Sequence, residues 1–286
     1  MTPAPTVSVI TISLNDLDGL KRTVDSVRSQ RYTGRIEHIV VDGGSGPEVV
    51  DYLSRNESLF AYWQSKPDSG RYDAMNQGIA HASGEVLWFL HSADCFADAE
   101  TLTDVVQELS HHGRVDQLWG YGIERKIAPD GTSVGFQGPI PFDMRKFLIL
   151  RGTIPHQAAF FGASLVGRLG GYDLDFAIAA DQLYMLRAAL VMAPVTIKRV
   201  VANFDITGAG SIRPVSESFR DMRRIWDQEG CYPFRSRRLS LAYLRCLEYL
   251  VRVKLAVSRP EGVVVTRTTT RPAAVPRKYL SRLEPK

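Results

Sequence analysis

Several features are scarce in this 286-residue sequence, and each scarcity excludes a class of protein. Cysteine occurs three times, at Cys95, Cys231 and Cys246. Scattered cysteines in odd number do not make a disulfide framework and favour a reducing compartment. No run of about 18 uncharged apolar residues is present, so no transmembrane helix is expected. The apolar run near residue 10 is not preceded by a basic region, so we expect no signal peptide and a cytoplasmic protein.

Acidic residues are scarce at the C-terminal end. The chain carries a net charge of +4, but residues 235–286 hold 13 Lys and Arg against three acids, so this part carries +10 and the rest −6. A basic segment attracts nucleic acid or an anionic membrane surface. We expect no nucleic-acid partner and leave open a peripheral contact between the C-terminal basic region and the inner face of the plasma membrane.

The hydrophobic content of 44% and charged content of 23% suit one large domain with an appendage. Apolar periodicity and turn residues predict strands and helices in alternation, typical of an α/β fold. The predicted strands are 7–13, 36–41, 59–64, 86–90, 115–121, 154–161 and a pair within 195–204, with a polar hairpin at 124–138. The predicted helices are 20–30, 73–82, 99–112, 143–150, 179–187, 211–229 and 239–257.

The stretch from residue 66 to residue 94 is the most informative. Its pattern predicts a loop, a helix with Asp73 as N-cap, a fully buried strand and an acidic turn that ends at Asp94. A carboxylate at the carboxyl end of a buried parallel strand lies where open α/β sheets bind ligands.

This stretch resembles glycosyltransferase family 2, whose members are inverting enzymes of GT-A fold that use nucleotide-diphospho-sugars. The family pattern is a D-x-G-x-Y-D-A-M-N-x-G-I helix and then a strand that ends in F-L-N-S-G-D or F-L-N-S-D-D. The matching residues here are Asp68, Gly70, Tyr72, Asp73, Ala74, Met75, Asn76, Gly78 and Ile79, followed by Phe89, Leu90, His91, Ser92, Ala93 and Asp94.

The resemblance implies a Rossmann-like GT-A domain over residues 1–210, with a mixed, mostly parallel sheet flanked by helices. Residues 1–112 would be the nucleotide-sugar half and 113–210 the acceptor half. Residues 211–258 would form C-terminal helices, and the Pro, Thr and Arg content of 259–286 predicts a disordered tail.

The resemblance also implies a divalent cation, Mn²⁺ or Mg²⁺, that neutralises the leaving diphosphate. The chain departs from the family pattern here, because His91 replaces the usual Asn and Ala93 replaces the first acid. Asp94 remains the obvious metal ligand, with His91 and His156 as further candidates. A histidine suits Mn²⁺ better than Mg²⁺.

The nucleotide-sugar is expected to bind the loops that follow the first four strands. Asp42 with its glycines is only a tight turn if taken alone, but within the series of loops a nucleobase contact is favoured. Arg71 is predicted to contact the diphosphate, the alternative being a solvated surface charge. The full set is Thr11, Ser13, Asn15, Asp42, Gly43, Gly44, Asp68, Gly70, Arg71, Tyr72, Asp73, Asn76, Ser92 and Ala93.

The acceptor side follows from a second cluster. Residues 154–161 resemble the family's H-Q-x-x-F-F strand, which places His156 and Gln157 on the acceptor side. Asp181 opens a helix in a segment that resembles the one bearing the family's catalytic base. The alternative role for Asp181 is a helix N-cap, and an N-cap acid can still face a cleft.

The predicted function is transfer of a sugar, with inversion, from a UDP-, GDP- or dTDP-sugar to a hydroxyl of a glycan or lipid-linked acceptor in bacterial cell-envelope synthesis. The alternative is an inactive nucleotide-binding or scaffold protein of the same fold, because Ala93 lacks the acid. A nucleotide-sugar synthase and a nicotinamide enzyme are disfavoured, because their glycine-rich signatures do not follow the first strand. Helix 239–257 either packs on the domain or lies on an anionic leaflet.

Overall fold

Buried β-branched and aromatic segments form the centre of the molecule. The computed structural model describes residues 3–176, 179–207 and 215–257. Nine strands form one sheet: β1 (Val7–Ser13), β2 (Ile36–Asp42), β3 (Tyr62–Ser65), β4 (Val86–Phe89), β5 (Cys95–Phe96), β6 (Trp119–Ile127), β7 (Ser133–Gln137), β8 (Ala159–Gly162) and β9 (Val195–Asp205).

The strand order is β3-β2-β1-β4-β8-β6-β9-β5, and β7 pairs with β6. Strand β1 runs parallel to β2 and β4, whereas β8 runs antiparallel to both β4 and β6. Strand β9 is parallel to β6. The carboxyl ends of β1, β2, β4, β6 and β9 therefore meet at one edge, where α/β sheets bind ligands. The expected mixed α/β sheet is confirmed.

Helices cover both faces of the sheet. They are α1 (Leu17–Arg28), α2 (Pro47–Arg55), α3 (Arg71–His81), α4 (Thr101–His112), α5 (Met144–Leu148), α6 (Ala163–Leu169), α7 (Ala180–Val191), α8 (Val215–Glu229) and α9 (Arg237–Val257). Helices α3, α6, α7, α8 and α9 share one apolar core with Phe89 and Phe161, while α4 packs with Trp88 on the other side. The C-terminal helices thus bury Trp226 and Leu244 in the main core.

Several predicted boundaries are wrong. Residues 115–117 form a 3₁₀ turn ahead of β6, 156–158 form another ahead of β8, and 195–204 lie in the single strand β9 rather than in a pair. Strand β3 begins three residues later than predicted, after the 3₁₀ turn Glu57–Leu59. Apolar composition located these segments, but a short apolar run does not distinguish a turn from a strand.

The predicted N-cap of α3, Asp73, is wrong, and so is the alternative role of Asp181 as a helix N-cap. Gly70 caps α3, so Asp73 is the third residue of that helix, and Ala179 caps α7, so Asp181 is its second residue. Helices α2 and α6 were not predicted. Helix α2 begins at Pro47. Proline is favourable as a first helical residue, but it is also common in turns, so it did not distinguish the two. The predicted tail 259–286 and residues 211–214 lie outside the described residues.

Among the described helices, none has the length and apolarity needed to cross a membrane.

Candidate active site

The turn after β2 is held by Asp42, which is fully buried. Its Oδ2 accepts hydrogen bonds from the backbone N–H of Ser45 at 2.8 Å and from Ser65 Oγ at 2.6 Å, and Ser45 Oγ donates to its Oδ1. Ser45 Oγ in turn accepts the N–H of Asn15 at 2.6 Å. Asp42 therefore fixes the turn and ties it to the end of β1, while its nucleobase contact stays a prediction.

Two predicted residues of β1 point to the interior. Thr11 Oγ1 pairs with His38 Nε2 at 2.9 Å, and both side chains are buried. Ser13 Oγ is buried and has no hydrogen-bond partner within the described part of the chain. Ser13 thus has a buried hydroxyl without a described partner, whereas Thr11 supports the strand.

The loop before α3 packs against the turn after β2. A Cβ on Gly43 would lie 2.9 Å from Asp68 Oδ2, so glycine lets the two loops touch. Asp68 Oδ1 accepts the N–H of Gly70 at 2.8 Å, and Asp73 Oδ2 accepts the N–H of Ser69 at 2.9 Å. These carboxylates order the backbone that leads to Arg71.

Asn76, which was predicted as a nucleotide contact, joins α3 to the segment before α7. Its Oδ1 accepts the N–H of Tyr172 at 2.7 Å, and its Nδ2 donates to the Tyr172 carbonyl at 2.9 Å. We name this double hydrogen bond the Asn76–Tyr172 clamp. Both side-chain groups of Asn76 are occupied by protein, so its role in the structure is to position Tyr172.

The turn after β4 connects to α1. Ser92 Oγ donates to Asp16 Oδ2 at 2.8 Å, and Ala93 has a left-handed φ of 75°. Asp94 is 4% exposed, and its Oδ1 accepts the N–H of Asp205 at 3.2 Å. Burial raises the pKa of Asp94 well above its usual range, and the negative charges of Glu124, Asp205 and Asp16 raise it further.

Asp181 lies at the start of α7, beside the first turn of α3. Its Oδ1 accepts hydrogen bonds from the Gln182 N–H at 2.7 Å and from Tyr72 Oη at 3.3 Å. Burial raises the pKa of Asp181, whereas these hydrogen bonds and the positive charge of Arg71 act in the opposite direction. A carboxylate with a raised pKa is a stronger base than an ordinary one.

Two histidines face each other near Asp181. The ring centroids of His91 and His156 are 5.4 Å apart, and His156 Nε2 pairs with Tyr172 Oη at 2.8 Å. Burial lowers the pKa of His91 to about 3 and that of His156 well below its usual range, with Arg71 lowering both further. Both imidazoles are therefore neutral at physiological pH.

Arg71 links these groups, because its charge acts on the pKa values of His91, His156 and Asp181. The start of α3, the end of β4, the turn before β8 and the start of α7 thus converge at one edge of the sheet. Asp94 belongs to the same turn as His91, since its N–H donates to the His91 carbonyl at 3.0 Å. Its carboxylate, however, contacts Asp205 rather than this cluster.

The side chains at this edge offer few ligands to a divalent cation. Within residues 3–176, 179–207 and 215–257, no three His, Cys, Asp or Glu side chains form a set able to hold a metal. His91 Nε2 and His156 Nδ1 are nevertheless buried without hydrogen-bond partners in that part of the chain. Two neutral imidazole nitrogens fit a cation whose remaining ligands come from a substrate.

Two cavities open at this side of the sheet. The first, of about 390 Å³, is lined by Arg22, Ala93, Arg125 and Asp205 among others. The second, of about 470 Å³, lies between the β6–β7 hairpin and the loop after α5, and Thr153 is part of its wall. The next residue along, Ile154, accepts a hydrogen bond from Gln182 Nε2 at 3.4 Å through its carbonyl. The wall of the second cavity is therefore followed directly by a residue that contacts the first turn of α7, which carries Asp181.

Tyr172, Glu124 and Asp205 were not predicted as site residues. Tyr172 follows a Gly-Gly turn, and this turn is the local sequence feature that marks its position. Glu124 and Asp205 reach Asp94 from β6 and β9. Their proximity depends on strand pairing between distant segments, so no local pattern could have located them.

Glu124 should make stability depend on pH. Burial raises the pKa of Glu124 from 4.5 to about 7, and the positive charge of Lys126 partly offsets this rise. The carboxyl group of Asp94, in the turn after β4, also faces Glu124. A raised pKa means that the folded protein binds the Glu124 proton more tightly than the unfolded chain does. The stabilisation of the fold by this proton is therefore complete below pH 4.5 and is lost as the pH rises through 7. Wild type should therefore lose up to about 3 kcal/mol of unfolding free energy between pH 4 and pH 8 that the variant Glu124→Gln keeps.

Urea unfolding of both proteins at each pH measures this difference. The exposed Glu48→Gln, on α2, serves as the matched control and should follow wild type at both pH values. Parallel stability curves for Glu124→Gln and wild type would contradict the assignment of a raised pKa.

Residues 8–165 match the model of the family described as Glycosyl transferase family 2. The chain is 62% identical over 249 residues to Uncharacterized glycosyltransferase Rv1514c of Mycobacterium tuberculosis strain H37Rv, covering 87% of this chain and 94% of that one. It is 33% identical over 223 residues to PGL/p-HBAD biosynthesis glycosyltransferase Rv2957 of the same strain, covering 76% and 83%.

A solved structure gives an independent comparison of the fold. The mannosyltransferase PcManGT from Pyrobaculum calidifontis, in complex with GDP-Man and Mn²⁺, matches with a TM-score of 0.61 at 19% identity. The match covers 92% of this chain and 77% of that chain. At this identity the similarity concerns the fold alone.

Proposed function

The chain belongs to glycosyltransferase family 2 and has the GT-A fold, and from that premise we propose that it transfers a sugar by single displacement with inversion. The donor is a nucleotide-diphospho-sugar and the acceptor is a hydroxyl group. The observation that carries this proposal is the convergence of Asp181, Arg71 and two neutral histidines at the carboxyl edge of the sheet. It joins a proton acceptor to a group that neutralises negative charge.

Asp181 is the proposed base. The acceptor oxygen forms a bond to the anomeric carbon while the bond from that carbon to the diphosphate oxygen breaks. The hydroxyl proton moves to the Asp181 carboxylate, and the electron pair leaves on the nucleoside diphosphate. A mechanism with one base that requires no protein nucleophile is a single displacement, which inverts the anomeric carbon.

Arg71 and the first turn of α3 are proposed to bind the diphosphate. Arginine binds phosphate oxygens through charge-assisted hydrogen bonds, and a helix N-terminus favours an anion. The nucleoside would lie across the loops after β1 and β2, where the backbone of residues 43–45 borders the open edge. Asp68 closes the other side of this groove, next to Gly43.

A divalent cation would neutralise part of the charge that develops on the leaving diphosphate. His91 and His156 are proposed to hold it, because each has a buried ring nitrogen without a partner in the described residues. Imidazole ligands favour Mn²⁺ over Mg²⁺, and the related fold of PcManGT was solved with Mn²⁺. Asp94 as a metal ligand stays a prediction, since its carboxylate contacts Asp205.

The acceptor is proposed to enter through the cavity between the β6–β7 hairpin and the loop after α5. The cavity has apolar lining from Ile123, Phe136 and Leu150 and a cation from Arg151. Such a lining suits an amphiphilic acceptor better than a free sugar. The relative Rv2957, named for PGL/p-HBAD biosynthesis, supports an acceptor in a cell-envelope glycan or glycolipid.

A thermal-shift panel of UDP-, GDP- and dTDP-sugars, each with and without MnCl₂, tests the proposal. Donor at about 100 times its Kd adds about 2.7 kcal/mol, which for a domain of this size raises Tm by roughly 5–10 °C. One nucleotide should give this shift, and Mn²⁺ should enlarge it.

The same panel separates the competing function. A shift with one donor but no hydrolysis or transfer of its sugar would favour an inactive nucleotide-binding scaffold, for which Ala93 is the motivating residue. If no donor changes Tm in either condition, the proposed donor site is wrong.

A further inference from the structure

The outward face of α9 carries an apolar stripe that the fold leaves uncovered. Leu239 is 63% exposed, Tyr249 67%, Leu250 56% and Val253 41%. Together with Ala242 and Cys246, these residues recur every three or four positions over four turns, so they lie on one side of the helix. Isolated exposed apolar residues are ordinary, but a continuous stripe marks an interaction surface.

The opposite face of α9 explains why the stripe is free. Ser240 and Leu244 are fully buried, and Leu247 and Val251 pack against the main core. These four positions follow the same helical spacing as the stripe but lie about half a turn away from it. Helix α9 is therefore apolar on two sides, and the described residues cover only one of them.

Basic residues border the stripe along one side. Arg238, Arg245 and Arg252 recur every seven residues, which places them in a row beside the exposed apolar residues. Arg252 pairs with Glu248 at 2.7 Å, whereas Arg238 and Arg245 make no ion pair with any described residue. Glu248, the only acid of α9, also pairs with Arg223 of α8 at 3.1 Å. The surface thus combines apolar and positive character without exposed acid.

We propose that α9 is an interfacial helix that lies flat on an anionic membrane, with the stripe in the headgroup region and the arginine row on lipid phosphates. Apolar area and basic charge on one helix are what such a surface selects. Its 21 residues span about 31 Å along the surface. A second copy fits less well, because two such faces would bring their arginine rows together.

The contacts of α9 place the acceptor cavity near this surface. Tyr243 Oη donates to the Ile149 carbonyl at 3.4 Å, directly before the cavity residues Leu150 and Arg151. Phe234, just before α9, packs against the Tyr243 ring, and the Arg145 guanidinium of α5 lies 5.4 Å from the centre of the Phe234 ring. If the proposed function is right, docking holds the acceptor cavity near the lipid surface. The docking itself does not depend on that function, because it is measured without donor.

Vesicle flotation with the full chain tests the docking. Vesicles of phosphatidylcholine with about 30 mol% phosphatidylglycerol are compared with phosphatidylcholine alone. Wild type should bind the anionic vesicles. Leu239→Ser/Leu250→Ser should lower the partition coefficient at least tenfold. Arg238→Gln/Arg245→Gln should lower it about thirty-fold on anionic vesicles only, as expected for two charges near the surface.

Matched controls change equivalent groups on other surfaces. Leu174→Ser/Leu190→Ser removes two exposed leucines, and Arg28→Gln/Arg31→Gln removes two exposed arginines. Both should bind as wild type does, and circular dichroism should show that every variant is folded.

Failure of wild type to bind, or equal binding by the α9 variants and their controls, would overturn the proposal. Dissociation of a dimer by Leu239→Ser/Leu250→Ser, with vesicle binding unchanged, would overturn it in favour of a second copy of the chain as the occupant.

Discussion

Asp181→Asn should lower kcat by about 100- to 10,000-fold, the range that a positioned general base contributes. Asparagine matches aspartate in shape, and its amide oxygen can still accept the hydrogen bonds from Tyr72 Oη and the Gln182 N–H. The variant loses only the ability to take a proton from the acceptor hydroxyl. Donor affinity, measured by calorimetry in the presence of Mn²⁺, should therefore change by less than about twofold, well under the roughly tenfold change that 1.4 kcal/mol represents.

Asp175→Asn is the matched control, because Asp175 is an exposed acid on the segment just before α7. It should leave both kcat and donor affinity unchanged. Normal turnover by Asp181→Asn would remove Asp181 from the role of base. Loss of donor binding together with turnover would show that Asp181 acts in the donor site instead.

Arg71→Gln should have the second large effect, and it should appear in two measurements. Loss of charge-assisted hydrogen bonds to the diphosphate, at about 1.5–3 kcal/mol, should weaken donor binding roughly 10- to 100-fold. The Arg71 charge also opposes the effect of burial on the pKa of Asp181. Without it that pKa rises further, so the acid limb of the kcat/KM profile should move to higher pH.

Arg71→Lys separates these two effects. Lysine keeps the charge and should restore the acid limb, but it lacks the planar fork and should restore donor affinity only in part. Lys66→Gln, an exposed cation on the same loop, should change neither measurement. An unshifted acid limb in Arg71→Gln would mean that Asp181 and Arg71 do not interact in the working enzyme.

The sequence located the central strands because burial on both faces leaves an uninterrupted apolar signal. Strands β1, β2 and β4 match their predicted ranges closely for this reason. The α3 and α7 helices were also located, but the predicted N-cap of α3, Asp73, was wrong. Gly70, whose φ of 111° lies in the left-handed region, directly precedes that helix instead.

The candidate site was only partly predictable. The sequence placed Asp181, Arg71, His91 and His156 in one group through the family resemblance, and the structure brings them together. It did not show that Asp42, Asp73 and Asn76 are occupied by hydrogen bonds within the protein. Those bonds depend on which loops meet at the edge of the sheet, and local residue patterns carry no information about that.

The Asn76–Tyr172 clamp has a consequence for how specificity changes within such proteins. It joins the helix that bears Arg71 to the segment leading to Asp181, and Tyr172 also supports His156. The hydrogen bonds that connect these elements do not involve residues 133–153. Exchange of residues 133–153 for the equivalent ones of a relative should therefore change which alcohol is accepted and leave the spacing of Arg71, His156 and Asp181 intact. Evolution can in this way alter the acceptor of the reaction without rebuilding the groups that act on the donor.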